Sequence, residues 1–107
     1  MTTFLYAYRM PTDYKPGRPD AKKAWSAFFD GLGSHLVDPG NPVFESVPVG
    51  TCGSGPVRLG GFSLVTADDL DAAVTMTEGC PILEEGGGVE VGVITEIYPD
   101  RRLTVEG

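Results

Sequence analysis

His35 is the one side chain of this sequence whose ordinary pKa lies near neutrality, which makes it the first candidate for a general acid or base. Asp38, three positions later, invites pairing with it. In a regular strand, residues three apart point to opposite faces, so the two meet only where a bulge or turn redirects one of them. Asp38 also opens the run Asp38-Pro39-Gly40-Asn41. An Asp in the first place of a turn bonds the backbone two residues on, which gives Asp38 a structural role beside the catalytic one. His35 has a similar alternative as a strand-end residue.

Glu90 is the third catalytic candidate. Along Gly88 to Ile97, Glu90 and Glu96 alternate with Val89, Val91, Val93 and Ile97, which places the acids away from the apolar stripe. If that face lines a pocket, partial burial raises the pKa of Glu90 and suits it to proton transfer. On an exposed sheet edge the same carboxylates serve only as solubilising charges.

Tyr6 and Tyr8 share one face of a strand and are candidates to bind a ligand through their hydroxyls, with core packing as the competing role. Arg9 joins them. Five of the eight basic residues, Arg9, Lys15, Arg18, Lys22 and Lys23, fall within fifteen positions, a local cation cluster that attracts a carboxylate or phosphate or simply solvates a loop. No metal site is expected: Cys52 and Cys80 form no CxxC and no cluster with His35, so they read as free thiols. G-x-S-x-G, HExxH, P-loop and dinucleotide fingerprints are all missing from the sequence, which leaves cofactor-free chemistry as the expectation.

The elements that must position these residues follow from periodicity. Thr3 to Arg9 is short and aromatic, a strand. Ala21, Ala24, Trp25, Phe28, Phe29 and Leu32 recur at helical spacing, with Asp20 as N-cap and a stop at Gly31 to Gly33; Trp25 falls inside this core-facing stripe. His35 to Asp38 reads as a short strand ended by a type II turn, and Val43 to Val49 as an edge or loop leading into the glycine-rich 50–55 run. Gly61 to Ala67 is a strand; Asp68 opens a second helix that Gly79 and Pro81 end. Gly86-Gly87-Gly88 reads as a turn, and Gly88 to Ile97 as the last main strand. The order βαββαβ predicts an α+β domain of ferredoxin-like type, an antiparallel sheet with two helices on one face.

A length of 107 residues fits one domain, with the 99–107 tail peripheral. Hydrophobic residues make up 41% and charged residues 21%, as in an ordinary globule. Eight basic against 15 acidic residues give a net charge of −7, which repels phosphate backbones and anionic lipid headgroups, so neither nucleic acid nor membrane is expected as a partner. Met1 to Tyr8 lacks the basic and long apolar regions of a secretory signal, and a cytoplasmic location is expected.

With both helices on one face, a monomer should keep the other face polar. Yet Phe4, Tyr6 and Tyr8 alternate with Leu5 and Ala7, and Phe62 and Leu64 with Val65 and Ala67, so both faces are apolar. A homodimer through the second face is the simplest cover.

The blocks Gly60 to Ala73, Gly79-Cys80-Pro81-Ile82-Leu83 and Gly87-Gly88-Val89-Glu90-Val91, together with Leu36 to Pro42, resemble the YCII-related family. The resemblance implies a dimeric α+β barrel whose two sheets enclose a pocket at or near the dimer interface. Where DGPF-type members carry Asp-Gly-Pro-Phe, this chain has Ser54-Gly55-Pro56-Val57, and its first helix lacks the His that some members place there. Two functions follow as expectations. One is a cofactor-independent enzyme acting by proton transfer on a small organic acid, with His35, Glu90 and a tyrosine as acid and base. The other is a non-catalytic module that binds a metabolite or assists a partner protein.

Overall fold

The computed structural model describes residues 1–101. Its first strand, β1, runs over Thr2–Pro11 and alternates strictly: Phe4, Tyr6, Tyr8 and Met10 are buried while the residues between them are not. This alternation extends the expected strand at both ends. Helix α1 occupies Ala21–Leu32, the span its apolar spacing predicts. Asp20 stands at the N-cap position, but its side chain makes no capping bond.

Beyond α1 the expectation needs correction. Gly33–His35 form a turn of 3-10 helix, so His35 is not in the strand, and β2 is only Leu36–Asp38. The next strand, β3, runs over Val57–Ala67, starting four residues before the expected Gly61. It then leads into α2, Leu70–Thr75, where the Asp69 carboxylate accepts the Ala72 amide at 2.8 Å. That is the N-cap bond expected of an acid at a helix start, one residue later than Asp68.

Pro81 does not merely end α2. It begins a further short helix, α3, Pro81–Glu84, where the absent proline N–H costs nothing. Among the described residues three α-helices therefore stand where two are expected. The last strand, β4, is Gly88–Val93 and stops short of the expected Ile97. Of the 99–107 tail, Pro99–Arg101 form a 3-10 turn, and residues 102–107 lie outside the described residues.

The four strands form one antiparallel sheet in the order β2-β3-β1-β4. Phe4, Tyr6 and Tyr8 pair with Val93, Val91 and Val89 of β4, which sets these residues on one face. Val65 and Ala67 of β3 share that face, and Phe28 of α1, Ala73 of α2, Ile82 of α3 and the neighbouring Cys80 close over it. Each such fully buried large side chain contributes roughly 1.5–3 kcal/mol, so this face holds the core. The other face carries Leu5, Ala7, Leu64 and Phe62, all partly or well exposed, beside Glu90. Among the described residues no helix is long and apolar enough to cross a membrane.

One irregularity shapes the rest of the molecule. Tyr8 pairs with Gly61 and Arg9 with Leu59, leaving Gly60 as an extra residue in β3. At this bulge the far edge of β3 takes up the segment after β2: Pro42 bridges to Gly61, and the Val43 amide donates to the Gly60 carbonyl at 3.0 Å. A side chain at Gly60 would press on Met10 at 2.9 Å, so the bulge passes closely over the core.

Candidate ligand-binding site

A cavity of about 550 Å³ lies between α1, the 14–18 stretch of the preceding loop, the turn after β2 and the bulge of β3. Its size is within the range of small-molecule sites. Six aromatic residues line it: Tyr8, Tyr14, Trp25, Phe29 and Phe44, with Phe62 at the β3 edge. Trp25 and Phe29 lie on the expected apolar stripe of α1, but only Phe28 and Leu32 of that stripe are fully buried. The stripe is wider than the core, and its outer edge faces the cavity. Trp25 packs edge-on against Tyr8 at 4.8 Å between ring centres, so strand and helix hold the wall jointly.

The opposite wall is made by Pro39, Gly40, Asn41 and Pro42. Gly40 takes φ +66°, the left-handed value that the third position of a type II turn requires. Asp38 fixes this turn by accepting the Gly40 amide at 2.8 Å. The predicted catalytic Asp38 thus performs its alternative role, and its carboxylate is not in the cavity lining.

A hydrogen-bond relay, buried at Tyr8 and part-buried at Pro39, supports the same wall from below. The Tyr8 hydroxyl donates to Ser63 Oγ at 2.8 Å, and Ser63 donates to the Pro39 carbonyl at 2.7 Å. Burial pushes the Tyr8 phenol well above its ordinary pKa, against a smaller lowering from the Ser63 bond. Tyr8 is therefore a neutral donor at physiological pH. Tyr6 bonds the Ala73 carbonyl, and burial pushes its pKa up to about 12; its ring belongs to the core and does not reach the cavity.

Among the described residues the charged ones in the lining are Arg18 and Lys22, and no carboxylate lines it, although the chain has nearly twice as many acids as bases. Arg18 is tied to Glu85, whose Oε1 lies 2.9 Å from Arg18 Nη1. Tyr14 sits against this pair: burial raises its phenol most, the Glu85 charge adds to the rise, and Arg18 opposes it.

The other sequence candidates go elsewhere. Arg9 pairs with Glu90 at 3.1 Å on the open sheet face, both side chains well exposed, so Glu90 is not the buried acid that proton transfer would call for. His35 lies beside a second, shallower cleft between α1 and the end of α2. Its Nδ1 is 2.9 Å from the Thr66 carbonyl; a carbonyl only accepts, so Nδ1 carries the proton. His35, Asp38 and Glu90 are thus not brought together. Of the ligand-binding candidates, Tyr8 alone reaches the cavity. Arg18 and Lys22 were within reach of sequence analysis through the basic run, whereas Glu85 gave no signal there.

Both cysteines are free, Cys52 exposed and Cys80 buried, and among the described residues no group of three or more His, Cys, Asp or Glu side chains gathers to hold a metal. Comparison of the chain with protein-family models, with curated proteins and with solved structures gives no match.

Proposed function

We propose that this protein binds a small, largely apolar organic acid in the cavity beside α1, as a binding module without turnover. The carrying observation is the lining itself: among the described residues it has six aromatic residues, two cations and no carboxylate, in an otherwise acidic chain. Rings bury a flat apolar body at little entropic cost, while the cations favour an acidic group on it. The catalytic alternative would need an acid and a base facing the ligand, and His35, Asp38 and Glu90 all lie outside the lining.

The neutral fluorophore N-phenylnaphthylamine tests the cavity directly. Its emission is expected to rise on binding, and Ala21→Trp, which drives a ring into the cavity from the first turn of α1, should abolish the rise while leaving far-UV circular dichroism unchanged. Undiminished binding to a folded Ala21→Trp variant would place the ligand elsewhere.

We further infer a ferredoxin-like domain of YCII-related type that pairs through its open sheet face. The strand order β2-β3-β1-β4 agrees with a split βαβ chain, and Leu5, Ala7, Leu64 and Phe62 form a partly exposed apolar patch. Sedimentation at micromolar concentration should return a species of twice the 11.3 kDa chain mass, and Leu64→Lys should halve it. A wild-type chain sedimenting only as a monomer would end the dimer assignment.

A further inference from the structure

The two cations of the cavity are not equivalent. Arg18 is already matched: Glu85 Oε1 accepts from Nη1 at 2.9 Å, and Asp20 Oδ1 lies 3.7 Å from Nε. The Glu85 side chain is only 8% exposed, and its second oxygen, Oε2, is buried with no hydrogen-bond partner. Arg18 is therefore the only counter-charge this carboxylate has among the described residues. Drawing the guanidinium away toward a ligand would leave a buried, uncompensated charge, the outcome that proteins tolerate least. Lys22 differs. It is exposed at the cavity on the first turn of α1 and makes no ion pair with any described residue.

We infer that Glu85 sets the charge class of the ligand: by neutralising Arg18 it leaves Lys22 as the one free cation of the cavity among the described residues, so the site takes monoanions, a ring bearing one carboxylate or sulfonate, in preference to dianions and cations. This rests on the cavity being a binding site. Glu85 acts through Arg18 and is a positioning residue. A consequence is that the acidic group lies toward α1 at Lys22, while the ring points inward to Tyr8 and Trp25.

A matched series displacing N-phenylnaphthylamine measures this: naphthamide, naphthoate and naphthalenedicarboxylate, which share a ring and carry zero, one and two charges. In the wild type naphthoate should bind about fivefold or more tighter than naphthamide, the scale of one charged contact at a partly exposed site, and the dicarboxylate no tighter than naphthoate. Lys22→Met should bring naphthoate down to the naphthamide value. Glu85→Gln keeps an acceptor for Arg18 but removes the neutralising charge, and should make the dicarboxylate bind about fivefold tighter than it does to the wild type. The double replacement Arg18→Gln with Glu85→Gln removes both charges, keeps a polar pair, and should preserve the monoanion preference within about twofold, which separates a matched Arg18 from a ligand-binding one.

Unchanged naphthoate affinity in a folded Lys22→Met variant would overturn the inference, as would a wild type that favours the dicarboxylate about fivefold. In both outcomes N-phenylnaphthylamine still binds and the cavity stands. Failure of that neutral probe to bind the wild type at all would instead remove the binding site itself, and the inference with it.

Discussion

Tyr8 donates its hydroxyl to Ser63 Oγ at 2.8 Å in the interior of the sheet, across the pair of strands that carry the bulge. Ser63 is wholly buried and donates its own hydroxyl to the Pro39 carbonyl, so one hydroxyl joins β1, β3 and the turn that walls the cavity. Replacement by alanine leaves the buried Tyr8 hydroxyl without a partner and takes from the part-buried Pro39 carbonyl its side-chain donor. Ser63→Ala should therefore lower stability by about 1–3 kcal/mol, and Tyr8→Phe by roughly 1 kcal/mol because Ser63 keeps its bond to Pro39. Urea denaturation of the two variants and their double mutant should give this order, with non-additive losses. Equal losses that simply sum would show the relay to be two separate contacts.

Gly40 is held between a turn and a strand. Its φ of +66° disfavours any side chain, and a Cβ there would meet the Phe62 carbonyl oxygen at 1.8 Å, which no rotamer change can relieve. The 41–43 segment would have to leave β3, breaking the Val43–Gly60 and Phe62–Asn41 backbone bonds. Gly40→Ala is expected to cost about 3 kcal/mol or more and to weaken N-phenylnaphthylamine binding in the fraction that remains folded. Wild-type stability in that variant would mean that the turn is free to move.

The α1 helix and most of β1 are legible because their patterns are long enough to have a period: six apolar residues at helical spacing define Ala21–Leu32, and Phe4, Tyr6 and Tyr8 mark one face of β1, which the structure continues to Met10. His35 was misplaced for the opposite reason. A 3-10 turn of three residues followed by a three-residue strand carries no period, and the tertiary contact with Thr66 decides its conformation. Pro81 illustrates a different limit, since a proline two residues after a glycine suits a stop and a first helical turn equally. Trp25 lies on the predicted apolar stripe but at its uncovered edge, because periodicity gives a direction and not the extent of what lies opposite. The Arg18–Glu85 pair joins residues far apart in sequence, and the chain pattern contains nothing that links them.

Raised phenol and thiol pKa values make stability fall at alkaline pH. Tyr6 moves from 10.0 to about 12 and Cys80 from 9.0 to about 11, in both cases chiefly through burial, and Tyr8 moves further in the same direction. In the unfolded chain these groups lose their protons first, so between the unfolded and folded values the native state binds more protons. The stabilisation is complete below about pH 9, where both states are protonated, and is lost as the pH rises through 9–12. Chemical denaturation at stepped alkaline pH should show this decline, and Cys80→Ala should delay its onset. A flat profile between pH 9 and 11 would contradict the burial of these groups.

His35 provides the sharpest contrast between the proton-transfer expectation and the binding site. Its ring is satisfied by the Thr66 carbonyl, the Thr66 hydroxyl lies 3.4 Å from the His35 carbonyl in return, and the pair fastens the 3-10 turn to β3 near the end of the sheet away from the cavity. A part-buried bond of this kind contributes about 1 kcal/mol. Its loss in His35→Ala should lower the melting temperature by about 4–8 °C for a chain of this size. The affinity for N-phenylnaphthylamine and naphthoate should stay within about twofold of wild type, because additivity holds for sites that share no partner. The same holds for Glu90→Ala, whose exposed pair with Arg9 is worth at most about 1 kcal/mol. If either variant instead lost the ligand while keeping its fold, the histidine or the glutamate would have to reach the bound molecule, and the cavity beside α1 would no longer be the place where it binds.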